Sequence, residues 1–148
     1  MISIIPAAPE HAPHMNQLEM ESFSEAWSEN SIKCEIMSPT TITYVAIDGG
    51  EQDTLVGHVY MRHLINEGHI INLAIKKSHR RRGIASMLIK KLIEVAHKRE
   101  MIGLTLEVRE SNRAAIALYQ QHEFAEEGVR KNYYTRPTEN GIIMWLYL

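Results

Sequence analysis

Residues 69–100, HIINLAIKKSHRRRGIASMLIKKLIEVAHKRE, pass from a nearly unbroken apolar run, through basic residues closed by a glycine, into a helical periodicity. The run from His69 to Ile75 is the pattern of a strand covered on both faces. Beyond the glycine, Ile84, Met87, Leu88, Lys91, Leu92 and Val95 trace one stripe, with Lys90, Glu94, Lys98 and Arg99 mostly off it, so the spacing predicts a helix reaching to about Glu100. Between strand and helix lies Arg80-Arg81-Arg82-Gly83-Ile84-Ala85. A helix N-terminus exposes unpaired N–H groups and the positive end of the macrodipole, and a glycine lets that backbone close on a pair of phosphates. Arginine side chains add bidentate contacts. The same residues also read as a solvated basic turn in which glycine serves only chain reversal, and the flanking sequence has to separate the two.

Upstream, residues 41–47 are rich in β-branched side chains and end in the turn signal Asp48-Gly49-Gly50, after which residues 55–64 run as a second strand that should pair with the first. Asn66-Glu67-Gly68 punctuates again, and the apolar run of residues 69–75, the pattern of a strand covered on both faces, puts that strand in the middle of a sheet. Residues 2–5 form a short strand closed by Pro6, suited to a sheet edge. Pro13 fits the first turn of a helix over residues 12–22 carrying Met15, Leu18 and Phe23. Ser28 reads as the N-cap of a second short helix with Ile32, Ile36 and Met37, ending near Ser38 because Pro39 disfavours a helical residue before it.

Downstream, Leu104-Thr105-Leu106-Glu107-Val108-Arg109 alternates strictly, so Glu107 points away from Leu106 and Val108. Ser111-Asn112 can cap a helix in which Ala115, Leu118, Tyr119 and His122 share a face, before Phe124 begins an extended run. Residues 129–135 and 142–147 complete the sheet as two strands around a turn at residues 137–141. No repeat or low-complexity linker interrupts the chain, so residues 1–148 read as a single domain of the α/β or α+β class with a mixed sheet.

Composition excludes several classes. A chain of 148 residues can bury a core without staples, and its one cysteine, Cys34, cannot form an internal disulfide, which points to a reducing compartment and the cytoplasm. A formal charge of −2 supplies no global positive field for nucleic acid; only Lys76 to Arg82 offers a local patch. The start of the chain lacks the basic flank of a secretory signal, and no apolar stretch approaches the roughly 20 residues of a membrane span. The eight histidines lack acidic or thiol partners at recognisable ligand spacings, so no metal site is expected.

Strand, then Arg-x-x-Gly-x-Ala, then helix resembles the acetyl-CoA pyrophosphate loop of the Gcn5-related N-acetyltransferases, whose pattern Gln/Arg-x-x-Gly-x-Gly/Ala is met by Arg80, Gly83 and Ala85. From residue 72 to residue 134 the chain is similar to the RimI-type branch, the ribosomal-protein alanine N-terminal acetyltransferases. The blocks that carry the resemblance are Asn72-Leu73-Ala74-Ile75, Leu106-Glu107-Val108-Arg109, Ser111-Asn112-Arg113-Ala114-Ala115-Ile116-Ala117-Leu118-Tyr119 and Arg130-Lys131-Asn132-Tyr133-Tyr134. Trp27-Ser28 is a weaker echo. The chain departs from the family at Ala26-Trp27-Ser28, where Pro-Trp-Ser is common, and at His122-Glu123-Phe124, where a glycine usually precedes the phenylalanine. A helix exit often takes a left-handed residue, so Glu123 implies mild strain or a different cap.

The resemblance implies a three-layer fold with six to seven mixed strands and about four helices, and acetyl-CoA as acetyl donor. It implies that Arg80, Arg81, Arg82, Gly83, Ile84, Ala85 and Ser86 hold the diphosphate, that a backbone N–H of Leu73, Ala74 or Ile75 holds the oxyanion, and that Asn112 contacts the cofactor or simply caps its helix. Attack on a thioester needs a neutral amine, whereas an α-amino group titrates near about 7.7 and a lysine near about 10.4. The resemblance gives Glu107 the role of general base, directly or through water, and Tyr119 that of proton donor to the departing thiolate. Read locally, Glu107 is also an exposed strand carboxylate and Tyr119 a core aromatic. The implied acceptor is a protein N-terminus, such as that of a ribosomal protein, with no membrane and no direct nucleic-acid partner. Alternatives are a small-molecule amine or internal lysine as acceptor, an acyl-CoA sensor without turnover, and an RNA-associated domain using residues 76–82.

Overall fold

Residues 1–50 and 52–148 are described by a computed structural model of the chain. The elements run β1 (Ile2–Pro6), α1 (Ala12–Ser22), α2 (Glu29–Met37), β2 (Thr41–Gly49), β3 (Asp53–Leu64), β4 (Glu67–Ile75), α3 (Ile84–Lys98), β5 (Gly103–Arg109), α4 (Arg113–Gln121), β6 (Ala125–Tyr134) and β7 (Glu139–Tyr147). The helix ends follow local chemistry. Ser28 accepts a hydrogen bond from the Ser31 amide at the start of α2, and Asn112 accepts one from Ala115 at the start of α4, each satisfying a donor the helix cannot.

The seven strands form one sheet in the order β1-β2-β3-β4-β5-β7-β6. All neighbours are antiparallel except β4 and β5, which α3 joins as a parallel crossover. Helices α1 and α2 cover one face through Ala12, Met15 and Ile32, packed with Val45 and Tyr60. The larger core lies on the other face, where Ile84, Leu88, Leu92, Ile116 and Tyr119 pack against Val59, Leu104, Leu106 and Met144. Strand β1 lies at a sheet edge and β4 in the middle, as expected from Pro6 and from the apolar run of residues 69–75.

Three sequence expectations need correction. The buried side of α3 is Ile84, Leu88, Ile89, Leu92 and Ala96, whereas Met87 is exposed and Lys91 half-buried: the stripe is rotated, because the helix lies across the strands and Ile89 and Ala96 face the sheet. Strand β4 is not covered on both faces, since His69, Ile71, Asn72 and Leu73 are only partly buried and line an open cavity. The closing strands also extend further than expected. Strand β6 begins at Ala125 and β7 at Glu139, because β6 absorbs extra residues in two bulges, one containing the left-handed Asn132. On α4, Ile116 joins Tyr119 as the buried pair, with Ala115 and Leu118 half-buried beside them. Glu123 does take a left-handed conformation, with φ 70°, at the exit of α4.

Leu88→Ala should therefore lower unfolding stability by about 2–5 kcal/mol, while Met87→Ala should change it by less than about 0.5. Urea denaturation of both variants checks this rotation of the stripe, and equal losses would contradict it.

Candidate active site

The site arises where the sheet comes apart. Strands β4 and β5 pair only at Glu67 with Gly103, Gly68 with Leu104 and His69 with Thr105. Close approach there requires Gly68, because a Cβ on it would lie 2.6 Å from Leu104 Cδ2 and 2.7 Å from Met61 Sδ. Beyond His69 the strands diverge. On its other side β4 carries a bulge: Tyr60 pairs with Ile71 but His58 with Ala74, so one extra residue is accommodated near Asn72, whose φ is 48°.

A buried carboxylate holds this bulge. Glu19 of α1 is fully buried, and its Oε1 accepts hydrogen bonds from Asn72 Nδ2 at 3.0 Å and the Trp27 amide at 3.2 Å, while Oε2 accepts from His58 Nε2 at 2.8 Å. Since a carboxylate oxygen only accepts, Nε2 of His58 carries the proton, and its Nδ1 has no hydrogen-bond partner among the described residues. Four segments thus meet on one side chain: α1, the loop before α2, β3 through His58, and the bulge of β4. Trp27 packs on Tyr60 at a centroid distance of 4.8 Å, and Arg62 lies over its ring while bonding Glu35 at 2.6 Å. Sequence reading missed Glu19 because a glutamate on a short helix looks solvated.

The divergence opens a cavity of about 660 Å³. Of the residues singled out in the sequence, Glu107, Tyr119, Leu73 and Asn112 line it together, with Trp27, Tyr133 and Tyr134 around them. Glu107 projects from the face of β5 opposite Leu106 and Val108, as alternation requires. Its Oε2 lies 2.6 Å from Nε2 of His69 and its Oε1 accepts from Arg130 Nε at 3.2 Å. The hydrogen bond from His69, with the charges of His69 and Arg130, holds the Glu107 carboxyl below the usual carboxylate range despite partial desolvation. Tyr119 is 6 % exposed and packs edge-on against Phe124, and burial pushes its hydroxyl up, so it stays protonated. Tyr119 is thus a core aromatic that also borders the cavity.

Arg80, Arg81, Arg82, Gly83, Ile84, Ala85 and Ser86 lie apart from this cavity, at the N-terminus of α3. Gly83 is the N-cap with φ 79°, no side chain caps the helix, and a Cβ on Gly83 would meet nothing within 4 Å. The first amides of α3 have no side-chain cap and lie beside exposed Arg80, Arg81 and Arg82, an arrangement that fits a diphosphate. Ile84 is buried and anchors the helix, and Ser86 Oγ lies 3.0 Å from His122 Nε2. Ala74 is buried while Leu73 and Ile75 are partly so, and Ile75 O accepts from Arg80 Nε at 3.2 Å. At the opposite rim, Arg109 donates to the carbonyls of Thr135 and Pro137 and to Glu139, and Thr135 donates to Glu25, so the loop after α1 meets the β6–β7 turn.

Residues 12–124 match the family model described as the acetyltransferase (GNAT) family, and the chain belongs to that family. It is an N-acetyltransferase with the GNAT fold. A Bacillus subtilis protein named putative ribosomal protein bS18-alanine N-acetyltransferase is 30 % identical over 137 residues, covering 93 % of this chain and 89 % of its own length. The crystal structure of the ribosomal-protein-S18-alanine N-acetyltransferase from Escherichia coli superposes with a TM-score of 0.89 at 29 % identity, covering 99 % of this chain and 94 % of that one. The same fold occurs in Arabidopsis thaliana NAA60 in complex with acetyl-CoA, at TM-score 0.91 and 17 % identity, covering 100 % of this chain and 99 % of that one. Among the described residues no helix is long and apolar enough to cross a membrane.

Because the folded-state pKa of Glu107 is depressed, its contribution to stability is present above the unfolded carboxyl value and disappears as pH falls through the folded one. Glu107→Gln should thus be less stable than the parent at neutral pH, with the gap closing in acid. Thermal melts across pH 7 to about pH 3 read this, and a gap that widens in acid would count against it.

Proposed function

We propose that the chain transfers an acetyl group from acetyl-CoA to the N-terminal α-amine of a protein, such as a ribosomal protein, as its relatives' names describe for bS18. The observation that carries this reading is one cavity, between the diverging strands, lined by both Glu107 and Tyr119 and rimmed by Tyr133 and Tyr134. In this reading residues 1–148 act as one domain, and the enzyme works in the cytoplasm.

Acetyl-CoA supplies an activated acyl carbon when bound. Its diphosphate is held by the first amides of α3 and by Arg80, Arg81 and Arg82, with Gly83 keeping the approach open and Ile84, Ala85 and Ser86 forming the helix mouth. Asn112 caps α4 and borders the acyl end of the cavity. Beyond His69 the β5 side of β4 has no strand partner, and an N–H of residues 73–75 on that side is suited to stabilise the oxygen that gains charge as the amine adds. The carboxylate of Glu107 promotes loss of the proton from the incoming ammonium, directly or through an intervening group, and the Tyr119 hydroxyl, kept protonated by burial, serves the departing sulfur.

Mass spectrometry of an alanine-initiated ribosomal peptide after incubation with acetyl-CoA should show one acetyl group on the α-amine. Acetylation of lysine or of polyamines alone would replace this acceptor with the alternative one. Glu107→Gln should cut turnover by about a hundredfold or more at neutral pH with partial recovery at higher pH, leaving acetyl-CoA binding nearly intact. Tyr119→Phe should slow release of CoA without loss of thermal stability; a collapse of stability instead returns Tyr119 to a purely structural role.

A further inference from the structure

Neither oxygen of Glu107 is free in the folded chain: Oε2 lies 2.6 Å from His69 Nε2 and Oε1 3.2 Å from Arg130 Nε. A carboxylate so held takes up a proton reluctantly. His69, by contrast, lines the cavity, and with Nε2–H directed at Glu107 its remaining ring nitrogen is the basic one. That nitrogen, Nδ1, makes no hydrogen bond among the described residues and is not shut off from solvent. An imidazole takes and releases protons in the neutral range, where an α-ammonium must be deprotonated.

We propose that the proton of the incoming amine passes to Nδ1 of His69, with Glu107 fixing the tautomer and stabilising the imidazolium, an inference that rests on the acetyl-transfer reading above. The bonds balance as follows. The ammonium N–H bond breaks, its proton goes to Nδ1 and later to solvent, and the freed lone pair forms the N–C bond. As the C–S bond breaks, the sulfur keeps the pair and accepts the second nitrogen proton, through the Tyr119 hydroxyl. The groups facing His69 favour this arrangement. Glu107 and Arg130 come from β5 and β6, with Tyr133 beside them; Glu67 precedes it on β4; Thr105 is its neutral partner on β5. Arg62 sits opposite it on β3 but is paired bidentately with Glu35, which mutes the like-charge repulsion against an imidazolium. The sequence concealed the pair because 38 positions separate its members.

His69→Gln is the discriminating variant, since its amide nitrogen can replace Nε2 as donor to Glu107 while offering no basic atom. Single-turnover acetyl transfer should fall about a hundredfold, with the acetyl-CoA thermal shift unchanged, and imidazole added to His69→Ala should restore part of the rate. A His69→Gln rate within about threefold of the parent would make Glu107 the acceptor and overturn the proposal. The parent supplies an independent test that needs no variant. Its single-turnover rate should fall as the pH is lowered, along an acid limb that His69→Gln abolishes. A parent profile without that limb also overturns it. If the parent acetylates a small amine but not the peptide, the same comparison on that amine tests His69 while the acceptor reading alone falls; a chain that acetylates no amine sinks both.

Discussion

The divergence of β4 from β5 is the constraint on which the rest of this structure depends. Parallel strands normally stay together once paired, because each residue added to the ladder satisfies two backbone groups. Here pairing stops after three registers, and the residues beyond His69 leave their neighbour with backbone groups unclaimed on that side. That defect has to be held open from elsewhere. Gly68 permits tight pairing on one side of the fork, and the bulge at Asn72 turns the strand on the other.

A buried acid does the holding, and its energetics explain why it is tied so thoroughly. Glu19 and His58 are both fully buried, and an ion or polar pair withdrawn from water gains little by itself. What the pair provides is geometry. Glu19 joins α1, the Trp27 loop, His58 of β3 and Asn72, which ties the helix side of the cavity to the bulged strand. A hydrophobic replacement could pack as well but could not bind a left-handed asparagine and a loop amide at once.

The site has two chemically different parts, the cavity in the fork and, apart from it, the mouth of α3. At the mouth of α3, backbone amides and exposed arginines create positive potential without burying any charge, which suits a ligand that arrives carrying its own negative charge. In the fork the charges are paired and partly desolvated: Glu107 with His69 and Arg130, Arg109 with Glu139. Pairing keeps these charges stable in a partly buried place and restrains each of them from moving alone.

Features set by neighbours in the chain were legible in the sequence: the caps at Ser28 and Asn112, the end of α2 before Pro39, the side of β5 on which Glu107 lies, the basic loop at Gly83 and the left-handed exit at Glu123. Each depends on dihedral preferences or on period-two and helical spacing, which a few consecutive residues determine. Only the tertiary structure decided which flank of α3 faces the sheet, that β4 is open on one side, that Glu19 is buried, and that His69 meets Glu107 and Arg130. Those outcomes depend on which strands lie side by side and where their pairing ends, and contacts between residues tens of positions apart leave no periodic trace along the chain.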